Sequence, residues 1–124
     1  MAQLTILYVD DDEDIRDVAE LSLQMDPGIE VRTAASGPEA MAVLEAWEPD
    51  LLMLDVMMPD MDGPTLLAAI RARPGRTAPP AIFITARVLA AELAQLEALG
   101  VAGVITKPFD PLTLAAQVRL RLAG

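Results

Sequence analysis

The chain has 124 residues, 53% of them hydrophobic, with a formal net charge of −10, no histidine and no cysteine. That length suits one domain with a single core, expected to occupy residues 1–124. The missing residue types exclude disulfides, thiolate metal sites, the common zinc sites and Ser/His triads, so any bound ion takes oxygen ligands. The acidic balance argues against direct contact with nucleic acid, whose affinity rests on cationic phosphate contacts. No apolar run nears the roughly 20 residues needed to cross a bilayer, and no basic segment precedes the first apolar stretch. The expectation is a cytoplasmic protein with no membrane partner, whose partners are proteins or cations.

Leu4 to Val9 is a short apolar run rich in β-formers that stops at Asp10 and reads as a first strand. From Glu13, Ile15, Val18, Leu21 and Met25 fall at helical spacing and predict a helix that buries that stripe, ended by Pro27-Gly28. Ile29 to Ala34 gives a second strand. Ser36 and Glu39 make a capping-box pattern, with Pro38 early in a helix whose buried face carries Ala40, Val43, Leu44 and Trp47. Leu51 to Leu54 is an unbroken apolar run, as in strands buried on both faces, and it stops at Asp55. Residues 58–64 are turn chemistry, and Pro64 suits the first turn of a helix to about Ala72. Pro74-Gly75 and Pro79-Pro80 bracket a loop. Ala81 to Ile84 is a fourth strand, the Leu89, Leu93 and Leu96 series a fourth helix with Leu89 and Leu93 assigned to the core, and Val101 to Ile105 a fifth strand. Asp110 and Pro111 open the last helix.

Five strand-helix units in alternation call for a parallel sheet covered on both faces. The count and length favour a flavodoxin-like, doubly wound sheet of order 2-1-3-4-5 over a barrel, although periodicity does not give the order. In such sheets the ligand crevice lies beyond the carboxyl ends of the strands, where strands one and three are neighbours. Asp10, Asp11 and Asp12 follow the first strand, Asp55 follows the third, Thr85 the fourth, and Lys107 the fifth.

This order brings Asp55 beside Asp10 and Asp11. Two carboxylates about 4 Å apart repel by roughly 4 kcal/mol at an effective dielectric near 20, so the cluster calls for a cation or a raised pKa. With no nitrogen or sulfur ligand on offer, Mg²⁺ fits best, with Mn²⁺ able to substitute. A carboxylate beside such an ion can act as a nucleophile toward a phosphoryl group, with Lys107 pairing with its oxygens and the Thr85 hydroxyl reaching them only afterwards. Each residue also has an ordinary reading: the Asp10 to Asp14 run as a favourable helix N-terminus, Asp55 as a turn cap, Thr85 as a loop donor, Lys107 as a solvated charge. Their joint occupancy of four strand ends favours the chemical one.

Across nearly its whole length the chain resembles a response-regulator receiver domain of the CheY-like kind. Ile-Leu-Tyr-Val-Asp-Asp at 6–11 resembles that family's acidic pair, and the run from Leu51 to Gly63 its phosphoacceptor strand and loop. Ile-Thr-Ala at 84–86 and Lys-Pro-Phe at 107–109 resemble the switch hydroxyl and the family's lysine. The resemblance implies a two-component phosphorelay switch in which Asp55 is phosphorylated by a sensor histidine kinase or histidine phosphotransfer protein. In that reading Asp10, Asp11, Asp55 and the backbone carbonyl of Met57 hold Mg²⁺, while Thr85, the backbone of Ala86 and Lys107 bind the phosphoryl group. It further implies a cis Lys107–Pro108 bond, a domain that catalyses its own phosphorylation and slow dephosphorylation without being an enzyme of turnover, and a downstream protein or output domain. A homodimer stays open.

Three residues before the lysine, where many members carry Tyr or Phe, stands Val104, which has no ring to swing inward when the threonine moves. Met57 and Arg87, two past the acceptor and two past the threonine, flank the acyl phosphate in the family, and a bulky Met57 is expected to slow its hydrolysis. Two rivals stand beside this reading. A haloacid-dehalogenase-type phosphatase also uses an aspartate after its first strand, but needs a longer chain and a late acidic pair where only Asp110 is found. A pseudo-receiver would keep the fold without phosphorylation, and Val104 is the feature that favours it. Nucleotide motifs are missing, and an EF-hand reading of Asp10, Asp12 and Asp14 fails at Ile15 and Leu21, where that loop needs glycine and glutamate. The chain ends at Gly124 just after the fifth expected helix, compatible with a regulator that works alone or with one joined to an output domain.

Overall fold

Strands and helices alternate strictly: β1 (Leu4–Val9), α1 (Glu13–Gln24), β2 (Ile29–Ala34), α2 (Gly37–Ala46), β3 (Leu51–Asp55), α3 (Gly63–Arg71), β4 (Ala81–Thr85), α4 (Ala90–Glu97), β5 (Gly103–Thr106) and α5 (Leu114–Ala123). The computed structural model describes residues 3–86 and 89–123, so Arg87 lies outside the described residues. The five strands form one sheet in the order β2-β1-β3-β4-β5, and every neighbouring pair is parallel. This is the flavodoxin-like arrangement the alternation called for.

Strand alternation sends side chains to two cores. Leu7, Val9, Leu52, Leu54 and Phe83 pack with Leu44 of α2, Leu66 and Ile70 of α3, and Leu96 of α4. Ile6, Tyr8, Met53, Ile82, Ile84 and Ile105 pack with Ala19 and Leu23 of α1 and with Leu114 and Val118 of α5. With helices on both faces, every residue of β3 and β4 is buried, which is why those strands read as unbroken apolar runs.

Several expectations need correction. The inward face of α1 carries Ala19, Ser22 and Leu23 with Ile15 half-buried, whereas Val18, Leu21 and Met25 are 43%, 67% and 63% exposed. Counting only large apolar side chains misplaced the stripe. Small residues line the side nearest the sheet, and the buried Ser22 hydroxyl donates to the Pro111 carbonyl ahead of α5. Leu89 is not core: it precedes α4 as its extended N-cap residue and is 64% exposed. Leu93 is half-buried, and Leu96 is the buried residue of that helix. β5 begins at Gly103, two residues later than the apolar run suggested. α5 begins at Leu114, because Asp110 first organises a turn in which its carboxylate accepts the Leu112 N–H and its carbonyl accepts the Thr113 N–H.

Candidate functional site

The register of the sheet builds the site. Val9 pairs with Leu54, so the residues that follow, Asp10 and Asp55, emerge side by side at the carboxyl ends of β1 and β3. Thr85 pairs with Thr106, and the next residue, Lys107, donates its backbone N–H to the Thr85 carbonyl at 2.8 Å. Asp10, Asp55 and Thr85 are three of the buried polar residues, at 0%, 4% and 2% exposure.

One oxygen from each of Asp10, Asp11 and Asp55 lies within 4.8 Å of the others, with Asp11 the exposed member. The third acidic residue of that run serves the helix instead, since the Asp12 carboxylate caps α1 and accepts the Asp14 and Ile15 N–H groups at 3.0 and 3.2 Å. The helix-terminus reading of the run therefore holds for Asp12, and the carboxylate-cluster reading for its two predecessors.

Lys107 lies between the two buried carboxylates, its Nζ 2.8 Å from Asp10 Oδ2 and 3.2 Å from Asp55 Oδ1. Asp10 is further held by the Asp12 N–H on Oδ1 at 3.0 Å and by the Tyr8 hydroxyl, which donates to Oδ2 at 3.1 Å. The Arg16 guanidinium donates to the Asp10 carbonyl at 2.8 Å. Sequence reasoning passed over Tyr8 and Arg16. Tyr8 left a readable signal, the one aromatic residue of the strand, placed two residues before an acid and so on the same strand face.

Charge is unevenly compensated here. Burial raises the Asp55 carboxyl to about 6 and the Asp10 charge adds to the rise, against the opposing pull of Lys107 and of the Met57 N–H. Burial works against the Lys107 ammonium, yet the hydrogen bond and charge of Asp10, then those of Asp55, leave its pKa above the ordinary lysine value. Burial, then Asp10, push the Tyr8 hydroxyl upward, so it stays a donor. Three carboxylates against one ammonium leave a net negative cluster of oxygen donors, and a hard divalent cation fits that donor set.

The β3–α3 loop folds back on the end of β3, the Gly63 N–H donating to the Val56 carbonyl at 3.0 Å. Asp62 caps α3 through the Thr65 N–H, and Gly63 passes so close that a Cβ there would lie 2.6 Å from the Asp55 carbonyl oxygen. Met57 is 59% exposed beside Asp55, and Ala86 is exposed after β4. The Lys107–Pro108 peptide is cis. Val104 is half-buried against the core shared with α4, and its carbonyl accepts from the Arg121 guanidinium at 3.3 Å.

Comparison with known proteins points to one family. The model of the response regulator receiver domain matches residues 6–119. The chain is 40% identical over 119 residues to an uncharacterized 14.6 kDa protein of Leptolyngbya boryana, covering 96% of this chain and 90% of that one. It is 38% identical over 122 residues to the transcriptional regulatory protein YvrH of Bacillus subtilis, covering 98% of this chain and 50% of that protein. The chain thus spans about half the length of such transcriptional regulators. Among solved structures, the chemotaxis response regulator CheY4 of Vibrio cholerae superposes with a TM-score of 0.85 at 32% identity, covering 97% of this chain and 99% of that one.

Proposed function

This chain belongs to the response-regulator receiver family, and from that membership we propose that residues 1–124 form one cytoplasmic receiver unit whose phosphoacceptor is Asp55. The observation that carries the assignment is the convergence of the Asp10, Asp11 and Asp55 carboxylates with Lys107 at neighbouring strand ends. The family is that of phosphoacceptor switches in two-component signalling, and the residue roles below are our reading of this member.

A carboxylate oxygen of Asp55 attacks the phosphorus of a phosphohistidine on a sensor kinase or phosphotransfer protein. The O–P bond forms as the N–P bond breaks, and the donor imidazole leaves with the electron pair. Asp10, Asp11, Asp55 and the Met57 carbonyl would hold Mg²⁺, or Mn²⁺ in its place. The bound ion supplies positive charge beside the crowded carboxylates and the incoming phosphoryl oxygens. Lys107 then shifts its pairing from Asp55 to a phosphoryl oxygen, and the Thr85 hydroxyl and the Ala86 N–H close on the others. These contacts exist only in the phosphorylated form, so they bias the conformation read by a downstream protein or output domain.

The site catalyses both its own phosphorylation and the slow hydrolysis that resets it. Met57, exposed two residues past the acceptor, would shield the acyl phosphate from water, and Met57→Asn is expected to shorten its lifetime a few-fold. Equal decay rates would remove that role. The primary test is intact mass after incubation with acetyl phosphate, with and without Mg²⁺. A metal-dependent gain of one phosphoryl group is expected. No adduct and no beryllium fluoride binding would favour a pseudo-receiver, and sustained phosphate release a phosphatase.

A further inference from the structure

Tyr8 is the chain's sole tyrosine, and its ring is fully buried among Ile6, Ala19, Leu23 and Ile84. A phenylalanine would fill the same volume without burying a hydroxyl, a group that is costly to take out of water unless it is hydrogen-bonded. Packing alone therefore does not account for the oxygen. Two residues along a strand span about 6.6 Å on one face, close to the reach of a phenol side chain, and the hydroxyl meets Asp10 Oδ2 at 3.1 Å.

The two side-chain contacts on that oxygen differ in kind. Lys107 divides its ammonium between Asp10 and Asp55 and stands on a loop after β5. Tyr8 is anchored within β1, one residue from its carboxyl end, and is paired on both sides, with Thr33 of β2 and Met53 of β3. When Lys107 turns to a phosphoryl group, the tyrosine contact stays. We propose that Tyr8 is a positioning residue for the cation site: its hydroxyl fixes the Asp10 carboxylate in one orientation toward Asp11 and Asp55, whichever partner Lys107 holds. This inference rests on the reading of Asp10 as a Mg²⁺ ligand.

The test compares wild type with Tyr8→Phe by calorimetric titration with MgCl₂ and by thermal unfolding in EDTA. Hydrogen-bond partners of metal ligands typically change affinity by about 10- to 100-fold when removed, and a rise in the Mg²⁺ dissociation constant of roughly tenfold is expected. An unchanged dissociation constant with a lowered metal-free melting point assigns the hydroxyl to stability alone and overturns the proposal. A wild type that binds no Mg²⁺ overturns the reading of the site together with this inference, a result distinct from the first. Should Tyr8→Phe fail to fold, biosynthetic 3-fluorotyrosine labels residue 8 alone. Its ¹⁹F resonance is expected to move on addition of MgCl₂, and a resonance indifferent to the metal overturns the proposal.

Discussion

Two aspartates stand at the two ends of β3 and lead opposite lives. Asp50, just before the strand, is exposed and locked to Thr5 of β1. Its carboxylate accepts the Thr5 N–H at 2.9 Å and hydroxyl at 3.0 Å, and its own N–H donates to the Thr5 carbonyl and hydroxyl. Asp55, which ends the same strand, is 4% exposed, faces Asp10 and has its pKa raised to about 6. One carboxylate is satisfied by its neighbours and serves register, while the other shares a single ammonium with a second buried carboxylate, a crowding that a cation would relieve. Residue type says nothing about which is which; strand direction does, because in a parallel α/β sheet the crevice opens at the carboxyl ends.

The sharpest break between the two is chemical. Asp55→Asn is expected to abolish phosphoryl incorporation from acetyl phosphate, while Asp50→Asn leaves it intact by mass spectrometry. An adduct that survives in the first variant would dissolve the distinction. Next in size is the counter-charge. Lys107→Met removes the ammonium shared by Asp10 and Asp55, and leaving buried charge unpaired is expected to cost about 3 kcal/mol in denaturant unfolding without metal. Mg²⁺ should return much of that loss through binding to the folded form.

A pH series sharpens the comparison further. Because the fold raises the Asp55 pKa, its proton is bound more tightly in the folded chain than in the unfolded one. That contribution to stability is fully present below the unfolded value of about 4 and is lost as pH rises through the folded value. Metal-free protein is therefore expected to lose stability across this window. Mg²⁺ competes with the same proton, so its affinity should climb with pH up to about 6 and level off above it. An affinity independent of pH in that range would contradict the placement of Asp55 in the cation site. The smallest effect belongs to the other end of the strand: Asp50→Ala is expected to cost about 1 kcal/mol of stability with no change in phosphorylation or metal binding.

Much of this was legible in the sequence because parallel-sheet strands are short apolar runs that stop abruptly at polar residues. The bounds of β1 and β2 read directly, and the strand-end residues Asp10, Asp55, Thr85 and Lys107 could be named before their neighbours were known. The sheet order 2-1-3-4-5 came from the count of units and the chain length, not from hydrophobic periodicity, which describes one element at a time whereas register is a relation between two. Helix faces were misread where small residues decide the packing, as with Ala19 and Ser22 in α1, and where a terminal leucine lies outside the helix, as with Leu89. The division of the acidic run into Asp12 as a cap and Asp10 with Asp11 as a cluster depended on backbone direction at the turn, which composition does not record.

The central claim is that the buried aspartate at the carboxyl end of β3 is the one phosphorylated, and reductive mapping tests it most directly. After acetyl phosphate treatment with Mg²⁺, borohydride reduction converts an aspartyl phosphate to homoserine, which peptide sequencing by mass spectrometry locates. Homoserine at position 55 alone is the predicted result. Homoserine at Asp10 or Asp11, or an adduct that borohydride leaves unchanged, would contradict it.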